Sequence, residues 1–349
     1  MNRRFASEFE EVSDPNRLAQ HPLVSILCLT YNQASYIREC VESVMLQERP
    51  FPIEMVIGED CSTDGTRSIC IELQRRYPDL VRLFLSRSNA GIGLNLINAF
   101  SACRGKYIAI VDGDDFWTDT RKLLKQVELM DGEPGLAGCF HNVMIKCEIC
   151  GRDHGPYYPQ SLRERFSQRD LIHGNPVPTC ASFFRNHLFE GFPSWFVDEA
   201  TCPCRDWVIH VLNATQGDYA YVDTVMGVYR LHGKGVWGGV CGAQESLPIR
   251  RMEGNLTTYQ RFTEYFGRRY RSELRQLIAT TCVHLALAYR KEADWPRFRS
   301  RILKGIRSRG HLLELLRIGA VVLIPSRRRR YERAAEVRRQ RRLAAEQTP

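Results

Sequence analysis

Three aspartates within four residues form the strongest chemical signal in this 349-residue sequence. Asp112, Asp114 and Asp115 follow directly after an apolar run over residues 106–111. Carboxylates this close repel one another, so their clustering costs stability unless a cation compensates for it. A hard divalent ion such as Mg²⁺ or Mn²⁺ takes one or two carboxylates and fills its other positions with water and phosphate oxygens. The spacing therefore favours a metal site over a solvated turn, since Asp119 alone could cap the helix that follows.

A second acidic pair, Glu59 and Asp60, follows the apolar run over residues 53–57. A carboxylate at this place could accept a hydrogen bond from the ring N–H of a pyrimidine base. Ser62 or Asp64 could instead cap the next helix and explain the polar residues structurally. The pattern alone leaves both interpretations open.

Two further polar segments follow apolar runs, and each alone is ordinary turn chemistry. The first is Thr30, Tyr31 and Asn32, and the second contains Asn89 with Asn95 shortly after it. Together with the acidic segments, they supply hydrogen-bond donors and acceptors suited to a nucleotide.

Four alternations of an apolar run with a helical pattern must position these side chains. We expect strands over residues 24–30, 53–57, 80–85 and 106–111 and helices over residues 34–47, 66–77, 91–103 and 119–130. This alternation predicts an α/β fold with a Rossmann-like, mostly parallel central sheet flanked by helices. Right-handed crossovers place every loop after a strand at one edge of the sheet, where ligands bind. The four polar segments should therefore meet at that edge.

Four segments, in order, resemble the family 2 glycosyltransferases of GT-A fold. They read VSILCLTYNQASYIRECVESVMLQ, EMVIGEDCSTDGT, SNAGIGLNLINAF and GKYIAIVDGDDFW. The family transfers a sugar from a nucleotide diphosphate sugar, usually with Mg²⁺ or Mn²⁺ and with inversion at the anomeric carbon. The resemblance implies that Thr30, Tyr31 and Asp60 contact the base and ribose, that Asp112 touches the ribose or the metal and that Asp114 ligates the metal.

Two positions depart from the family pattern. The usual Asp-Asp pair is Glu59-Asp60 here, and the Gly that usually follows is Cys61. Asp60 still occupies the second and more informative position of that pair, so the resemblance still implies nucleotide binding. We also place Asp115 among the nucleotide contacts.

Two motifs in the second half extend the resemblance, more loosely, to about residue 237. Arg205-Asp206-Trp207 resembles the family's acid-Asp-Trp element, which implies that Asp206 is the general base, although Arg205 replaces the preceding acid. The alternative for Asp206 is a helix N-cap. The segment over 229–233 resembles the family's Tyr-Arg-x-His element, so His232 completes the metal shell, contacts phosphate or is a structural hydrogen bonder.

Beyond residue 135 the strand and helix alternation ends. We expect strands over 135–147 and 218–231, an irregular stretch over 151–180 and helices over 250–310. The predicted domains are a loose lead-in over 1–21, a GT-A domain over 22–245, a helical extension over 246–326 and an Arg-rich tail over 327–349. Within the GT-A domain, residues 22–130 are the predicted nucleotide-sugar-binding half and residues 131–245 the acceptor half.

Composition narrows the class of protein. Hydrophobic residues are 44% and charged residues 26%, which excludes wholesale disorder and fibrous classes. Six of the nine net positive charges come from residues 327–349, which disfavours a nucleic-acid-binding body. Thirteen scattered cysteines indicate reduced thiols, and the sequence shows neither a secretory signal nor an 18-residue apolar stretch. We therefore expect a cytoplasmic protein.

Two remaining features stay open. Cys147 and Cys150 could belong to a zinc site, but no second CxxC follows at zinc-ribbon spacing, so incidental thiols are favoured. The mostly apolar stretch over 311–324, followed by arginines, fits either a peripheral membrane contact through residues 311–342 or a packed helix with a solvated tail.

The expected function is metal-assisted, inverting transfer of a sugar from a UDP- or dTDP-sugar to a hydroxyl of a saccharide or lipid-linked saccharide. This activity would serve cell-surface polysaccharide or glycolipid biosynthesis, with no nucleic-acid partner. A sugar-phosphate nucleotidyltransferase is the nearest enzymatic alternative, but it needs a Gly-rich, basic loop where residues 30–33 read TYNQ. A non-catalytic nucleotide-sugar-binding scaffold is the alternative outside enzymes.

Overall fold

The computed structural model describes residues 9–198, 202, 204–233 and 246–308. The chain divides into two compact units, the first formed by Met1–Ala200 and Arg205–Gly242 and the second by Thr201–Cys204 and Ala243–Pro349. The predicted domain boundaries stay predictions. The stretch over 311–324 and the Arg-rich tail lie outside the described residues.

The first unit contains a single extended sheet and six helices among its described residues. Its strands are β1 (Phe9–Val12), β2 (Val24–Thr30), β3 (Ile53–Glu59), β4 (Val81–Ser86), β5 (Tyr107–Ile110), β6 (Phe116–Trp117), β7 (Leu136–Cys147), β8 (Arg152–Pro156), β9 (Arg165–Phe166), β10 (Phe183–Arg185) and β11 (Asp218–Leu231). Its helices are α1 (Ile37–Met45), α2 (Thr66–Arg76), α3 (Gly91–Ala102), α4 (Lys122–Gly132), α5 (Gln168–His173) and α6 (Arg205–Asn213).

The sheet has the strand order β1-β4-β3-β2-β5-β10-β7-β11-β6, with β8 on β7 and β9 on β11. The neighbours β4, β3, β2 and β5 are parallel, which confirms the predicted Rossmann-like core. All residues of β2 and β3 are buried, as expected for strands covered on both faces. Beyond β5 the sheet is mixed, because β10 is antiparallel to both β5 and β7, whereas β7 and β11 are parallel.

Two predictions of irregular structure were wrong. The lead-in contains β1, which pairs antiparallel with β4 and is held there by an ion pair between Glu11 and Arg82 at 2.8 Å. The stretch over 151–180 contains α5, which begins with a capping box between Ser167 and Asp170. A short capped helix has too few turns to show an apolar period, so composition alone hides it.

The second unit consists, in its described part, of α7 (Ser246–Phe266), α8 (Arg271–Lys291) and α9 (Trp295–Arg307). One carboxylate joins all three helices, because Glu253 accepts hydrogen bonds from the Tyr289 hydroxyl at 2.8 Å and from Arg301 Nη2 at 2.6 Å. Among the described helices of the chain, none combines the length and hydropathy needed to cross a membrane.

Candidate functional site

The aspartate cluster lies where β5 ends. Carboxylate oxygens of Asp112, Asp114 and Asp115 all lie within 4.8 Å of one another. The glycine between the first two lets this loop lie against the end of β2, since a Cβ at Gly113 would come within 2.9 Å of Thr30 Oγ1. The predicted convergence of the loops that follow β2 and β5 is thus present in the structure.

The cluster is electrostatically unfavourable by itself. Burial, followed by the charges of Asp114 and Asp206, raises the pKa of Asp112 to about 8. Burial also raises the pKa of Asp115 well above its ordinary value, with the neighbouring carboxylates adding to the effect. Such a group of carboxylates requires bound protons or a cation to be stable.

Asp206 joins this cluster from a distant part of the chain. It lies in the first turn of α6, and its Oδ2 accepts hydrogen bonds from Asn175 Nδ2 at 2.8 Å and from Thr179 Oγ1 at 3.4 Å. Burial raises the pKa of Asp206, whereas the hydrogen bonds from Trp207, Asn175 and Thr179 lower it. The carboxylate is therefore oriented by side chains from the segment before β10, and its charge reaches Asp112.

Arg205, the departure from the family motif, has contacts of its own. Its guanidinium donates to the carbonyl oxygens of Phe196 at 3.1 Å and Val197 at 3.2 Å. The same carbonyl of Val197 lies against α3, where a Cβ at Gly93 would come within 2.5 Å of it. A cation at position 205 thus holds the turn over 194–197, a role that an acidic side chain at this position could not take because carbonyl oxygens need a donor.

His232 reaches the cluster from the end of β11. Its Nε2 lies 2.8 Å from Asp114 Oδ2, and its ring lies 4.8 Å from the ring of Tyr36, centroid to centroid. Its Nδ1 is buried without a hydrogen-bond partner among the described residues. The structure therefore brings His232 to Asp114, where the sequence motif had left its role open.

Arg230 links the cluster to two further acidic side chains, and sequence reasoning did not single it out. The backbone N–H of Arg230 donates to Asp115 Oδ1 at 2.8 Å, and Nη1 donates to the carbonyl of Asp114 at 2.6 Å. The guanidinium also pairs with Glu39 and, at 3.4 Å, with Glu148. Arg230 is almost completely buried, so it positions the aspartate loop from the protein interior.

The loops after β2 and β3 are joined by side-chain hydrogen bonds. The backbone N–H of Asn32 donates to Ser62 Oγ at 3.0 Å, and its Oδ1 accepts from the N–H of Thr63 at 2.8 Å. Asn32 adopts a positive φ of 53°, which asparagine tolerates better than most residues. Tyr31, beside it, is 44% exposed and free to meet a ligand.

The acidic pair after β3 has internal partners. Glu59 accepts from Arg67 Nε at 2.5 Å and from the N–H of Ser62 at 2.6 Å, so the departure from Asp-Asp forms a buried ion pair. Both oxygens of Asp60 accept backbone N–H groups, from Ala90 at 2.7 Å and Gly91 at 2.9 Å. Burial nevertheless raises the pKa of Asp60. Asp60 thus ties the end of β3 to the start of α3.

The remaining predicted nucleotide contacts differ in exposure. Asn89 is exposed and accepts the N–H of Gly91 at 3.0 Å. Asn95 is 2% exposed and donates to the carbonyl of Gly58 at 2.9 Å, while Asp115 is 1% exposed. The visible contacts of Asn95 and Asp115 are therefore with the protein interior, and their nucleotide contacts stay predictions.

Several buried polar atoms at this edge of the sheet lack a hydrogen-bond partner among the described residues. They are Thr30 Oγ1, Gln33 Oε1, Asp115 Oδ2 and His232 Nδ1. Burying a polar atom without a partner is costly, and such atoms are a feature of sites that bind polar ligands. Their position between β2, β5 and β11 supports a ligand site at the strand ends.

The donor set of the cluster fits a divalent cation. Carboxylate oxygens with one imidazole are ligands that Mg²⁺ and Mn²⁺ accept, and no thiol lies among them. A second group, Cys147, Cys150 and His154, also lies within 4.8 Å, but Cys147 is disulfide-bonded, which removes one thiolate from any zinc site. That bond is an exception to the prediction of reduced thiols, whereas Cys28, Cys40 and the other cysteines in the described part of the first unit are free.

Comparisons with known proteins bear on the family and on the fold. The sequence model of the family described as "Glycosyl transferase family 2" matches residues 25–191. The uncharacterized protein Rv1520 of Mycobacterium tuberculosis is 37% identical over 214 residues, which are 61% of this chain and 60% of that protein. Chondroitin synthase of Escherichia coli is 43% identical over 220 residues, 62% of this chain and 30% of the synthase. The matched segment thus spans about three fifths or less of these relatives.

Among solved structures, a mannosyltransferase of Pyrobaculum calidifontis, in complex with GDP-Man and Mn²⁺, superposes with a TM-score of 0.51 at 19% identity. The alignment covers 96% of this chain and 91% of the mannosyltransferase. At this identity the likeness concerns the fold alone, and it confirms the predicted α/β architecture of GT-A type.

Proposed function

The model of glycosyl transferase family 2 matches residues 25–191, and we propose that this chain is a member of that family that transfers a sugar from a nucleotide diphosphate sugar to an acceptor hydroxyl. The observation that carries the proposal is the meeting of Asp206 with the aspartate cluster. Asp206 is close enough to raise the pKa of Asp112, although α6 and the loop after β5 lie far apart in the chain. Carboxylates that raise one another's pKa at a strand-end cleft are typical of functional sites.

Nucleotide binding is assigned to the ends of β2 and β3. Tyr31 is exposed beside the unpartnered Thr30 Oγ1, an arrangement that supports stacking on a base and a hydrogen bond to it or to the ribose. Asp60 is proposed to accept the ring N–H of a pyrimidine through the remaining lone pairs of its carboxylate. We therefore propose UDP- or dTDP-sugars as donors, with Asn32, Asn89 and Asn95 shaping the pocket.

Asp112, Asp114 and His232 are the residues proposed to hold Mg²⁺ or Mn²⁺. Such an ion, when bound, neutralises the charge that develops on the departing nucleoside diphosphate. Asp114 is the central ligand in this scheme, because its carboxylate lies within 4.8 Å of that of Asp112 and 2.8 Å from His232 Nε2. Arg230 and Asp115 keep the loop in place from the protein side.

Asp206 is proposed to act as the general base. The acceptor oxygen forms a bond to the anomeric carbon while the bond from that carbon to the diphosphate oxygen breaks, and the hydroxyl proton passes to Asp206. One displacement of this kind inverts the anomeric configuration. Asn175 and Thr179 orient the carboxylate by donating to Oδ2.

The proposed biological role is assembly of a cell-surface polysaccharide or glycolipid on the cytoplasmic side of the cell. The similarity to a polysaccharide synthase over 62% of this chain supports a saccharide or lipid-linked saccharide acceptor. A membrane contact through residues 311–342 stays a prediction about residues beyond those that the structure describes.

The proposal is tested by incubating the full chain with a panel of nucleotide sugars, with and without Mn²⁺, and measuring release of nucleoside diphosphate. A transferase should release it slowly even without acceptor, and Asp114→Ala should abolish that release. Asp79→Ala, which changes an exposed aspartate after α2, is the matched control and should retain full activity. A protein that binds nucleotide sugars but releases nothing with any donor would be a scaffold, contrary to the proposal.

A further inference from the structure

The charges of this chain are divided more sharply than its total suggests. Residues 246–308 contain 14 Lys and Arg against 5 Asp and Glu, a formal charge of +9. Residues 1–245 contain 24 Lys and Arg against 31 Asp and Glu, a formal charge of −7. The small net charge of the chain outside the Arg-rich tail therefore combines an acidic part over residues 1–245 with a basic helical part over residues 246–308.

Helix α9 concentrates this positive charge. It contains five Lys and Arg and no Asp or Glu. Its apolar residues Trp295, Phe298 and Ile302 are buried within the second unit, so the cations occupy the other faces of the helix. Arg301 is used internally, in the bidentate contact with Glu253.

The outward stripe of α9 is formed by Arg299, Leu303 and Arg307, which follow one another at helical spacing of four residues. We call this stripe the α9 face. Leu303 is 56% exposed, and both arginines are exposed without an ion-pair partner in the described part of the chain. The α9 face therefore exposes an apolar side chain and two cationic side chains next to one another.

We propose that the α9 face binds the surface of an anionic phospholipid membrane. Arginine side chains pair with lipid phosphates and are attracted by the negative potential of such a surface, while an apolar side chain enters the boundary of the acyl chains. This occupant is favoured over a nucleic acid because Leu303 would gain nothing from a polyanion. The inference goes beyond the proposed transferase activity and does not depend on it.

The sequence that follows α9 has the same character. Residues 309–349 contain eleven arginines, and the apolar run over 312–324 is interrupted only by Glu314, Arg317 and two small residues. Basic residues beside apolar ones are the composition of interfacial segments. The α9 face is thus continuous in the chain with a stretch of compatible composition.

The experiment is co-sedimentation of the full chain with vesicles of phosphatidylcholine alone or of phosphatidylcholine mixed with phosphatidylglycerol. We expect binding to the mixed vesicles only, weakened by salt. Reversing two charges in Arg299→Glu/Arg307→Glu should lower the partition coefficient at least about tenfold, since each cation near an anionic surface contributes roughly fivefold. Equal binding to neutral vesicles, or no loss in this variant, would overturn the proposal.

Matched variants in the first unit control for net charge and for loss of an exposed leucine. Arg49→Glu/Arg75→Glu makes the same change in charge at two exposed arginines and should bind within about twofold of the parent. Leu303→Ser should weaken binding, whereas Leu46→Ser, at a leucine 68% exposed at the end of α1, should not. Circular dichroism verifies that each variant is folded.

A single-stranded RNA of mixed sequence is the competing probe. The proposal fails if three results are found together. These are that RNA binds the full chain, that Arg299→Glu/Arg307→Glu abolishes RNA binding, and that Leu303→Ser changes neither RNA binding nor vesicle binding. The α9 face would then be a general site for polyanions. If Leu303→Ser weakens vesicle binding and leaves RNA binding unchanged, the membrane assignment stands.

Discussion

The two units of this protein use carboxylates in opposite ways. In the second unit, Glu253 is matched by Arg301 and the Tyr289 hydroxyl, so its charge joins three helices. In the first unit, burial and then the charges of Asp114 and Asp206 raise the pKa of Asp112 to about 8. No lysine or arginine among the described residues forms an ion pair with Asp112 to oppose that rise. A carboxylate that is paired with a cationic side chain stabilises the fold. A carboxylate without such a partner indicates a place where a bound ligand provides the opposite charge.

The same distinction holds inside the first unit. Glu54 and Glu59 are fully buried, but the first is paired with Arg82 and Arg104 and the second with Arg67. Burial alone therefore does not identify the site. What distinguishes the site is that no cationic side chain among the described residues pairs with the Asp112 carboxylate.

The largest expected effect concerns the base. Asp206→Asn should lower the rate of sugar transfer by about 10²–10⁴-fold, because the amide oxygen can still accept from Asn175 and Thr179 but the amide takes up no proton. Donor binding, measured by calorimetry with the nucleoside diphosphate and Mn²⁺, should be nearly unchanged. A variant that retains transfer activity would exclude Asp206 as the base.

The second prediction removes the uncompensated charge. Without a metal ion, Asp112→Asn should raise the free energy of unfolding at pH 7 by about 2 kcal/mol, because the folded parent must protonate the Asp112 carboxyl far above its ordinary pKa and the amide avoids that cost. Thermal melts of the metal-free protein would measure it. Addition of Mn²⁺ should raise the melting temperature of the parent, and it should raise that of Asp112→Asn by less.

The pH dependence of that effect has a definite sign. The folded pKa of Asp112, about 8, lies above its ordinary value of 3.8, so the folded state binds more protons in between. Stability of the metal-free parent should therefore fall as pH rises from about 4 to about 8, and Asp112→Asn should flatten this slope. A parent that becomes more stable over this range, with the variant parallel to it, would contradict the prediction.

A smaller effect is expected where hydrogen bonds act on Asp206. Asn175→Ala removes a donor that lowers the pKa of Asp206, so the acid limb of kcat/KM should move to higher pH. Activity should fall severalfold at low pH and recover at high pH, whereas a merely destabilised protein would lose activity at every pH. Asn186→Ala, which removes an amide that donates to carbonyls before β5, provides the comparison.

The smallest effect is expected in the second unit. Glu253→Gln should lower the free energy of unfolding by about 1 kcal/mol, because it weakens a partly exposed ion pair with Arg301. Neutralising one carboxylate would then stabilise the first unit and destabilise the second. If both substitutions shift the melting temperature in the same direction, the contrast between the units is wrong.

Sequence periodicity determined the parallel core and the place of the aspartates. The apolar runs that became β2, β3, β4 and β5 have a local period, and the residue that follows a strand is visible in the chain. For this reason the sequence could place Asp112 and Asp114 at the sheet edge and bring Thr30 near them. The resemblance to a known family added Asp206 and His232 as candidates.

Only the tertiary structure decided what those candidates touch. Asn175 and Thr179 come from a segment that composition marked as irregular, and they donate to Asp206 from 31 and 27 residues away in the sequence. Likewise, the structure shows that Glu59 is paired with Arg67 and that Asp60 accepts a hydrogen bond from the backbone before α3. Hydrogen bonds between segments distant in the chain leave no period in the sequence, because they depend on how strands and helices pack and not on the order of neighbouring residues.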